Sequence, residues 1–164
     1  MTTIKRSSLG RGSARQQSGL AAIEFALVFV ALFLAVYGVA SIGAVLYVQQ
    51  VVSRAAEDGA RAALQLSLDV AANDSRVQSA VYQSLASSSI TPSAAGNSIA
   101  SKFAWLKSNV PANLITVDLS VPTQVTVKVA YPYGNNPIIP PLPFTGITTP
   151  TNLRGKATTA KPLP

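Results

Sequence analysis

From Phe25 to Val48 the chain runs for 24 residues without one charged side chain. As a helix rising 1.5 Å per residue such a run extends about 36 Å, against a bilayer hydrocarbon core of about 30 Å, so it can span with some tilt. The 29 residues from Leu20 to Val48 include only four outside the hydrophobic set, Glu24, Gly38, Ser41 and Gly43. The chain's hydrophobic share, 48% beside 12% charged, therefore reflects one segment rather than a large core. A cleaved secretory signal has a shorter apolar region, about 7 to 15 residues. The 116 residues after Val48 suffice for one small domain with a modest core.

Charge is placed as tellingly as apolarity. Lys5, Arg6, Arg11 and Arg15 supply four of the thirteen positive charges ahead of the run, and the first charge beyond it is Arg54. The positive-inside bias puts the N-terminus in the cytoplasm and everything after Val48 outside. From Leu20 onward nine basic residues face six acidic ones, and no stripe of aromatic and basic residues joins them, so nucleic acid is not an expected partner. With no His and no Cys, the ordinary zinc, haem, iron–sulfur and copper sites, a thiol nucleophile and an imidazole base are all excluded. The few acids do not form a catalytic set: Asp69 with Asp74, or Glu57 beside Asp58, reads as ordinary charge on solvated helices.

Helical character continues beyond the run. Between Leu20 and Ala72 there is no proline and alanine is abundant, and Glu57–Arg61 and Arg54–Asp58 stand at i,i+4 spacing. One helix of about 45 to 50 residues is the economical reading. Val48, Val51, Val52, Ala55, Ala56, Ala62, Ala63 and Leu66 make a stripe on its outer half that can pack against a domain. Within the apolar half, Phe25, Phe29, Phe33 and Tyr37 recur every fourth residue, a face suited either to packing against other subunits or to lipid. Ala31 with Ala35 and Ala40 with Ala44 are small pairs that permit close helix approach.

The most informative stretch is Gln17-Ser18-Gly19-Leu20-Ala21-Ala22-Ile23-Glu24-Phe25. A lone carboxylate beside an apolar run is costly in lipid, and the nearest cation before it is Arg15. Cleavage after Gly19 would place a new amine on Leu20, four positions before Glu24, where the helix dipole also favours a negative side chain. In an assembly, the same carboxylate could meet the amine of a neighbour. Without such processing, Glu24 would be a snorkelling residue at the bilayer edge.

On these residues the sequence resembles the type IV prepilins and, within them, the TadE-like minor pilins or pseudopilins of tight-adherence (Flp) pili. The short basic leader ending at Gly19 and the Glu24-Phe25 pair are similar to that group's processing motif, although Leu20-Ala21-Ala22-Ile23 departs from the Phe start and Thr-Leu-type run of the type IVa branch. Ala55-Ala56-Glu57-Asp58-Gly59-Ala60-Arg61-Ala62-Ala63 is similar to the alanine-rich "DGAR" segment of TadE-like chains, and Val125 to Tyr133, with Val-Thr-Val then Tyr-Pro-Tyr, resembles their ending. The resemblance covers residues 15 to 64 and, less closely, 115 to 133. It implies that Gly19 is the cleavage-site glycine, Leu20 the mature N-terminus and Glu24 the assembly carboxylate, with Phe25 its motif neighbour; Phe29, Phe33 and Tyr37 are helix-packing candidates by their spacing alone.

In the outer part, Asn73-Asp74-Ser75 breaks the helix and caps a second one, followed at helical spacing by Val77, Ala80, Val81 and Leu85. Thr91-Pro92 repeats the signal, with proline at the first helical position, for a third helix through Ile99, Phe103 and Leu106. Ile115, Val117, Leu119 and Val121 alternate with polar residues, as do Val125, Val127, Val129 and Tyr131, which predicts two strands. A three-residue loop would pair Val121 with Val125 and Leu119 with Val127, and would oppose Asp118 to Lys128. A proline-rich loop over 132–150 follows, then a third, shorter strand around Leu153 to Ala160.

The expected fold is therefore α+β: a long N-terminal transmembrane helix continuing into a small periplasmic domain with one or two further helices and a two- to three-stranded antiparallel sheet. The expected division is a basic prepilin-type leader (1–19), the transmembrane half of the helix (20–48) and a periplasmic head (49–164). The expected function is structural, not enzymatic and without a cofactor: a single-pass inner-membrane subunit of a bacterium, processed by a prepilin peptidase and assisting initiation or assembly of a tight-adherence pilus, into which it can be incorporated. Its partners would be the peptidase, other pilin or pseudopilin subunits, the inner-membrane assembly platform and the lipid bilayer. The competing reading is a signal-anchored periplasmic binding module that is never processed.

Overall fold

The computed structural model describes residues 13–66, 70–141 and 150–161, with backbone alone for 13–18. Lys5, Arg6 and Arg11 of the leader, Asp69, and Pro143 and Gly146 of the proline-rich loop lie outside the described residues. In chain order the elements are α1 (Ser13–Gln65), α2 (Ser75–Ala86), α3 (Ile99–Asn109), β1 (Ile115–Asp118), β2 (Gln124–Tyr131) and β3 (Leu153–Ala160), with single 3-10 turns at Ser93–Ala95 and Ala112–Leu114. A long apolar helix, two further helices and a three-stranded antiparallel sheet make the fold α+β, as the sequence predicts. The chain divides into two compact units, Met1–Ala40 and Ser41–Pro164, and α1 contributes to both.

Local chemistry sets the helix boundaries in the second unit. Asn73 takes the left-handed conformation that asparagine tolerates (φ 61°), and Asp74 then caps α2, accepting the Arg76 N–H at 2.8 Å and the Arg76 guanidinium at 2.8 Å. These Arg76 contacts hold the Asp74 carboxyl at about 2. Val77, Val81, Tyr82 and Leu85 are the buried face of α2. The third helix starts later than Thr91-Pro92 suggests. Pro92 instead precedes the turn Ser93–Ala95, Gly96 (φ 84°) ends that turn, and the Ser98 side chain accepts the Ser101 N–H to cap α3 at Ile99. Its inward face is also narrower than predicted: Leu106 is buried and Phe103 meets Tyr82 edge-on at 5.9 Å, but Ile99 is 50% exposed.

The sheet is a meander in the order β1-β2-β3. Its inward residues are those the alternation assigns, Ile115 and Val117 on β1 and Val125, Val127, Val129 and Tyr131 on β2, but the register differs from the predicted one by two residues. Val117 pairs with Val127, and Asp118 pairs with Thr126 rather than Lys128. The cause lies in the connection. Asp118 Oδ1 accepts the Ser120 N–H at 3.0 Å and ends β1, and Val121 O accepts the Gln124 N–H at 3.1 Å across a turn with Pro122 at its second position. Leu119 is consequently only half-buried at the core margin, and Val121 is 49% exposed. An even slip leaves every face unchanged, which is why the inside–outside pattern survives it. Lys128 still reaches Asp118 at 2.8 Å, diagonally, and this contact with those from Ser120 holds the Asp118 carboxyl well below its ordinary range. β3 occupies the predicted Leu153–Ala160 but is as long as β2, eight residues, not shorter.

One core joins the outer half of α1 to α2, α3 and the inner sheet face, with Val48, Val52, Ala55, Ala56, Ala60 and Ala63 as the contribution of α1. Of the predicted stripe, Val51, Ala62 and Leu66 are half-buried at its margin. Fully burying a valine or leucine contributes about 1.5–3 kcal/mol, so this set outweighs the weak surface pairs. Indeed neither Glu57–Arg61 nor Arg54–Asp58 closes as an ion pair. Asp58 Oδ2 instead accepts the Ser84 hydroxyl at 2.6 Å, tying α1 to α2.

Two tyrosines fasten the core with hydroxyls turned to backbone carbonyls: Tyr82 Oη donates to Val110 O at 2.7 Å, and Tyr131 Oη to Ile90 O at 3.5 Å. Burial, with Tyr133 adding to it, pushes the Tyr131 phenol up to about 12 from an ordinary 10.0. Below pH 10 both folded and unfolded chains keep that proton. Above it the unfolded chain ionises first, so stability falls from pH 10 through about 12. Alkaline thermal melts should show this fall, and Tyr131→Phe should flatten it.

Candidate functional site

The N-terminal part of α1 is built unlike the rest of the molecule. Helix-forming residues abound there and no proline interrupts them, yet every described side chain from Leu20 to Val36 is exposed. The helix Gly19–Gln65 contains a window apolar enough to cross a bilayer, none of it buried within the chain. Large exposed apolar surfaces of this kind mark membrane or protein contacts. Leu20 is 71% exposed, and Glu24 is exposed one turn later, forming no hydrogen bond or ion pair among the described residues.

Gly19 lies inside the helix, where glycine costs roughly 1 kcal/mol relative to alanine. A Cβ built there would meet nothing within 4 Å. Among the described residues, neither packing nor backbone conformation calls for glycine at that position. Gly38 and Gly43 are equally open.

The four aromatics of the apolar half form a continuous ladder. Phe25 and Phe29 stack with centroids 6.2 Å apart, Phe29 and Phe33 at 6.5 Å, and Phe33 and Tyr37 at 6.0 Å. Four residues overshoot a helical turn by about 40°, so the ladder winds slowly round the helix. The rings brace each other and present one ridge, available to lipid or to another apolar helix. The chemistry open to this arrangement is association: a sleeve of apolar surface interrupted by one carboxylate.

The second motif in the sequence has a different task. In Asp58-Gly59-Ala60-Arg61, Gly59 and Ala60 are buried, Asp58 binds Ser84, and Arg61 is exposed. A Cβ on Gly59 would come within 2.6 Å of Val81 Cγ2 and 3.1 Å of Val127 Cγ1. With Ala55, Ala56 and Ala63 it forms a small-residue face on which α2 and the sheet settle closely. The sequence marks Gly59 only as part of the DGAR-like segment and not as a packing position, because a glycine inside a helix carries no hydrophobic signal. Sequence reasoning also missed Gly155, and Gln49, whose Nε2 donates to Arg154 O at 2.8 Å. Of the acids that the sequence reads as ordinary charge, Asp74 is held by Arg76 and Asp58 accepts from Ser84.

Against known proteins, the family model described as TadE-like protein matches residues 19–61. No curated protein and no solved structure matches the chain. The matched segment begins at Gly19 and takes in Ala55, Ala56, Gly59 and Ala60 of the small-residue face. From Gly19 to Arg61 the chain is similar to TadE-like proteins.

Proposed function

We propose that the protein is a minor pilin or pseudopilin of a tight-adherence (Flp) pilus, trimmed by a prepilin peptidase between Gly19 and Leu20 and held in the inner membrane by the apolar part of α1. The N-terminus is cytoplasmic, and residues 49–164 form a periplasmic head. The reading rests on one coincidence: the TadE-like match covers the segment in which a helix exposes its whole apolar circumference around a single carboxylate. Its work is packing, not catalysis. Glu24 meets a subunit's Leu20 amine, and Phe25, Phe29, Phe33 and Tyr37 lie against other pilin subunits or the assembly platform.

The mass of the chain extracted from membranes tests the cut. Removing 19 of 164 residues leaves 145, beginning at Leu20. An intact chain in cells that contain the peptidase would return the protein to an unprocessed, signal-anchored periplasmic module. Gly19→Trp should abolish the shortened species while insertion continues, and Gly19→Ala should retain part of it. No described residue crowds Gly19, so a block on trimming would arise in the protease groove and not from a clash with the described part of the chain. Shortening of the Trp variant at Leu20 would place the cut elsewhere.

A further inference from the structure

The solvent face of the sheet bears a cluster of positive charge. Thr116, Lys128 and Lys156 stand in one row across the three strands, so two lysines are direct cross-strand neighbours. Like charges so placed repel. Arg154, paired with Ala130, stands in the next row on the same face. The small side chain of Ala130 leaves a depression of about 350 Å³ whose polar lining comes from Lys128, Arg154, Lys156, Asn113 and Thr116, with no carboxylate among the described lining residues. Lys128 is bound to Asp118, whereas Arg154 and Lys156 form no ion pair among the described residues. An anion in the depression would offset the lysine–lysine repulsion and could take a bidentate contact from the Arg154 guanidinium.

Its location indicates which anion. In the second unit, α1 carries Ile42 and Leu46 as exposed apolar side chains, 64% and 57% accessible, and Gln49 follows Leu46 by three residues, about 4.5 Å along the helix. Gln49 is the residue whose Nε2 holds Arg154 O at 2.8 Å, and β3 continues from there past Val52, against which Gly155 lies. The interfacial layer of a bilayer is roughly 5–8 Å deep on each side. With Leu46 at the hydrocarbon boundary, Arg154 therefore stands at headgroup depth. We infer that the depression bounded by Lys128, Arg154 and Lys156 binds the phosphodiester of an anionic phospholipid and seats the sheet on the membrane surface. The inference rests on the reading that the apolar run from Phe25 to Leu46 lies in a bilayer, with Val48 already in the core of the head.

Native mass spectrometry of the full chain, released from micelles containing equal amounts of phosphatidylglycerol and phosphatidylcholine, tests it. The expected preference for phosphatidylglycerol is roughly 25-fold, about fivefold for each of the two unpaired cations. Arg154→Gln combined with Lys156→Gln should remove the preference, Arg154→Lys combined with Lys156→Arg should keep it, and Lys107→Gln on α3 should leave it unchanged. Equal retention of the two lipids by the native chain, or a preference that survives the double Gln change, would overturn the site. Displacement of the lipid by an equal concentration of inorganic phosphate would reassign it to free phosphate and overturn the lipid source. Alkaline carbonate extraction separates the two readings: a chain released by carbonate refutes the bilayer span and the lipid site with it, whereas a carbonate-resistant chain lacking lipid preference refutes the lipid site alone.

Discussion

On the proposed function, Glu24→Gln should yield a protein that is inserted and shortened like the native chain and yet supports no pilus. The cost of an acid in the bilayer, about 2.5–3.5 kcal/mol at a helix centre and less near the edge, is too small to prevent a 24-residue apolar span from inserting. The carboxylate is exposed on its own helix and has no partner among the described residues, so its removal leaves this fold untouched. In a bundle of apolar helices the balance differs. A Leu20 amine facing a carboxylate in low dielectric is strongly attracted, and an amine left without that partner is a buried, uncompensated charge costing about 3–5 kcal/mol. Such a loss is a factor of about 150 or more in association, enough to remove pili from the count. Peptidase trimming and pilus number should be measured in the same cells. Normal pili would reduce Glu24 to a snorkelling residue, and failed trimming would move its role to the protease step.

Gly155→Ala should be the most damaging single-methyl addition in the C-terminal unit. A Cβ there would fall 2.5 Å from Val52 O, 2.8 Å from Val52 C and 2.9 Å from Ser53 Cα, all backbone atoms of α1 that no rotamer change can move. Overpacking of this kind costs about 1–3 kcal/mol, and the upper end is expected because β3 must lift away from the helix. At roughly 4 °C or more per kcal/mol for a unit of this size, the melting temperature should fall by about 10 °C. Gly59→Ala meets only side-chain methyls, Val81 Cγ2 and Val127 Cγ1, which can turn aside, so its loss should be smaller. Gly38→Ala meets nothing and should leave the melt unchanged or raise it slightly. Thermal denaturation of the three variants in detergent checks the order, and equal stability of Gly155→Ala and Gly38→Ala would contradict the observed seating of β3 on α1.

Much of this protein is written in its sequence because the relevant physics is local. A charge-free run of 24 residues identifies the exposed helix without reference to any other element. Asp74 caps α2 through the Arg76 backbone two residues away, and alternation at period two assigns Val125, Val127, Val129 and Tyr131 to one face. The candidate site is legible for the same reason: Gly19, Leu20, Glu24 and the Phe25–Tyr37 ladder lie on one helix, and their relations follow from helix geometry. What required the tertiary structure is whatever depends on residues far apart in the chain. The register of β1 on β2 is the exception, set locally by the Asp118–Ser120 contact and the Pro122 turn, and it escaped the sequence because a two-residue slip preserves every face and hydrophobicity is blind to it. Gly59 and Gly155 acquire meaning only where α1 meets α2, β2 and β3, since a missing side chain leaves no pattern until a neighbour fills the space. Lys128, Arg154 and Lys156 are scattered charges along the sequence and become a cluster only through the β2–β3 pairing, which places residues 28 positions apart side by side.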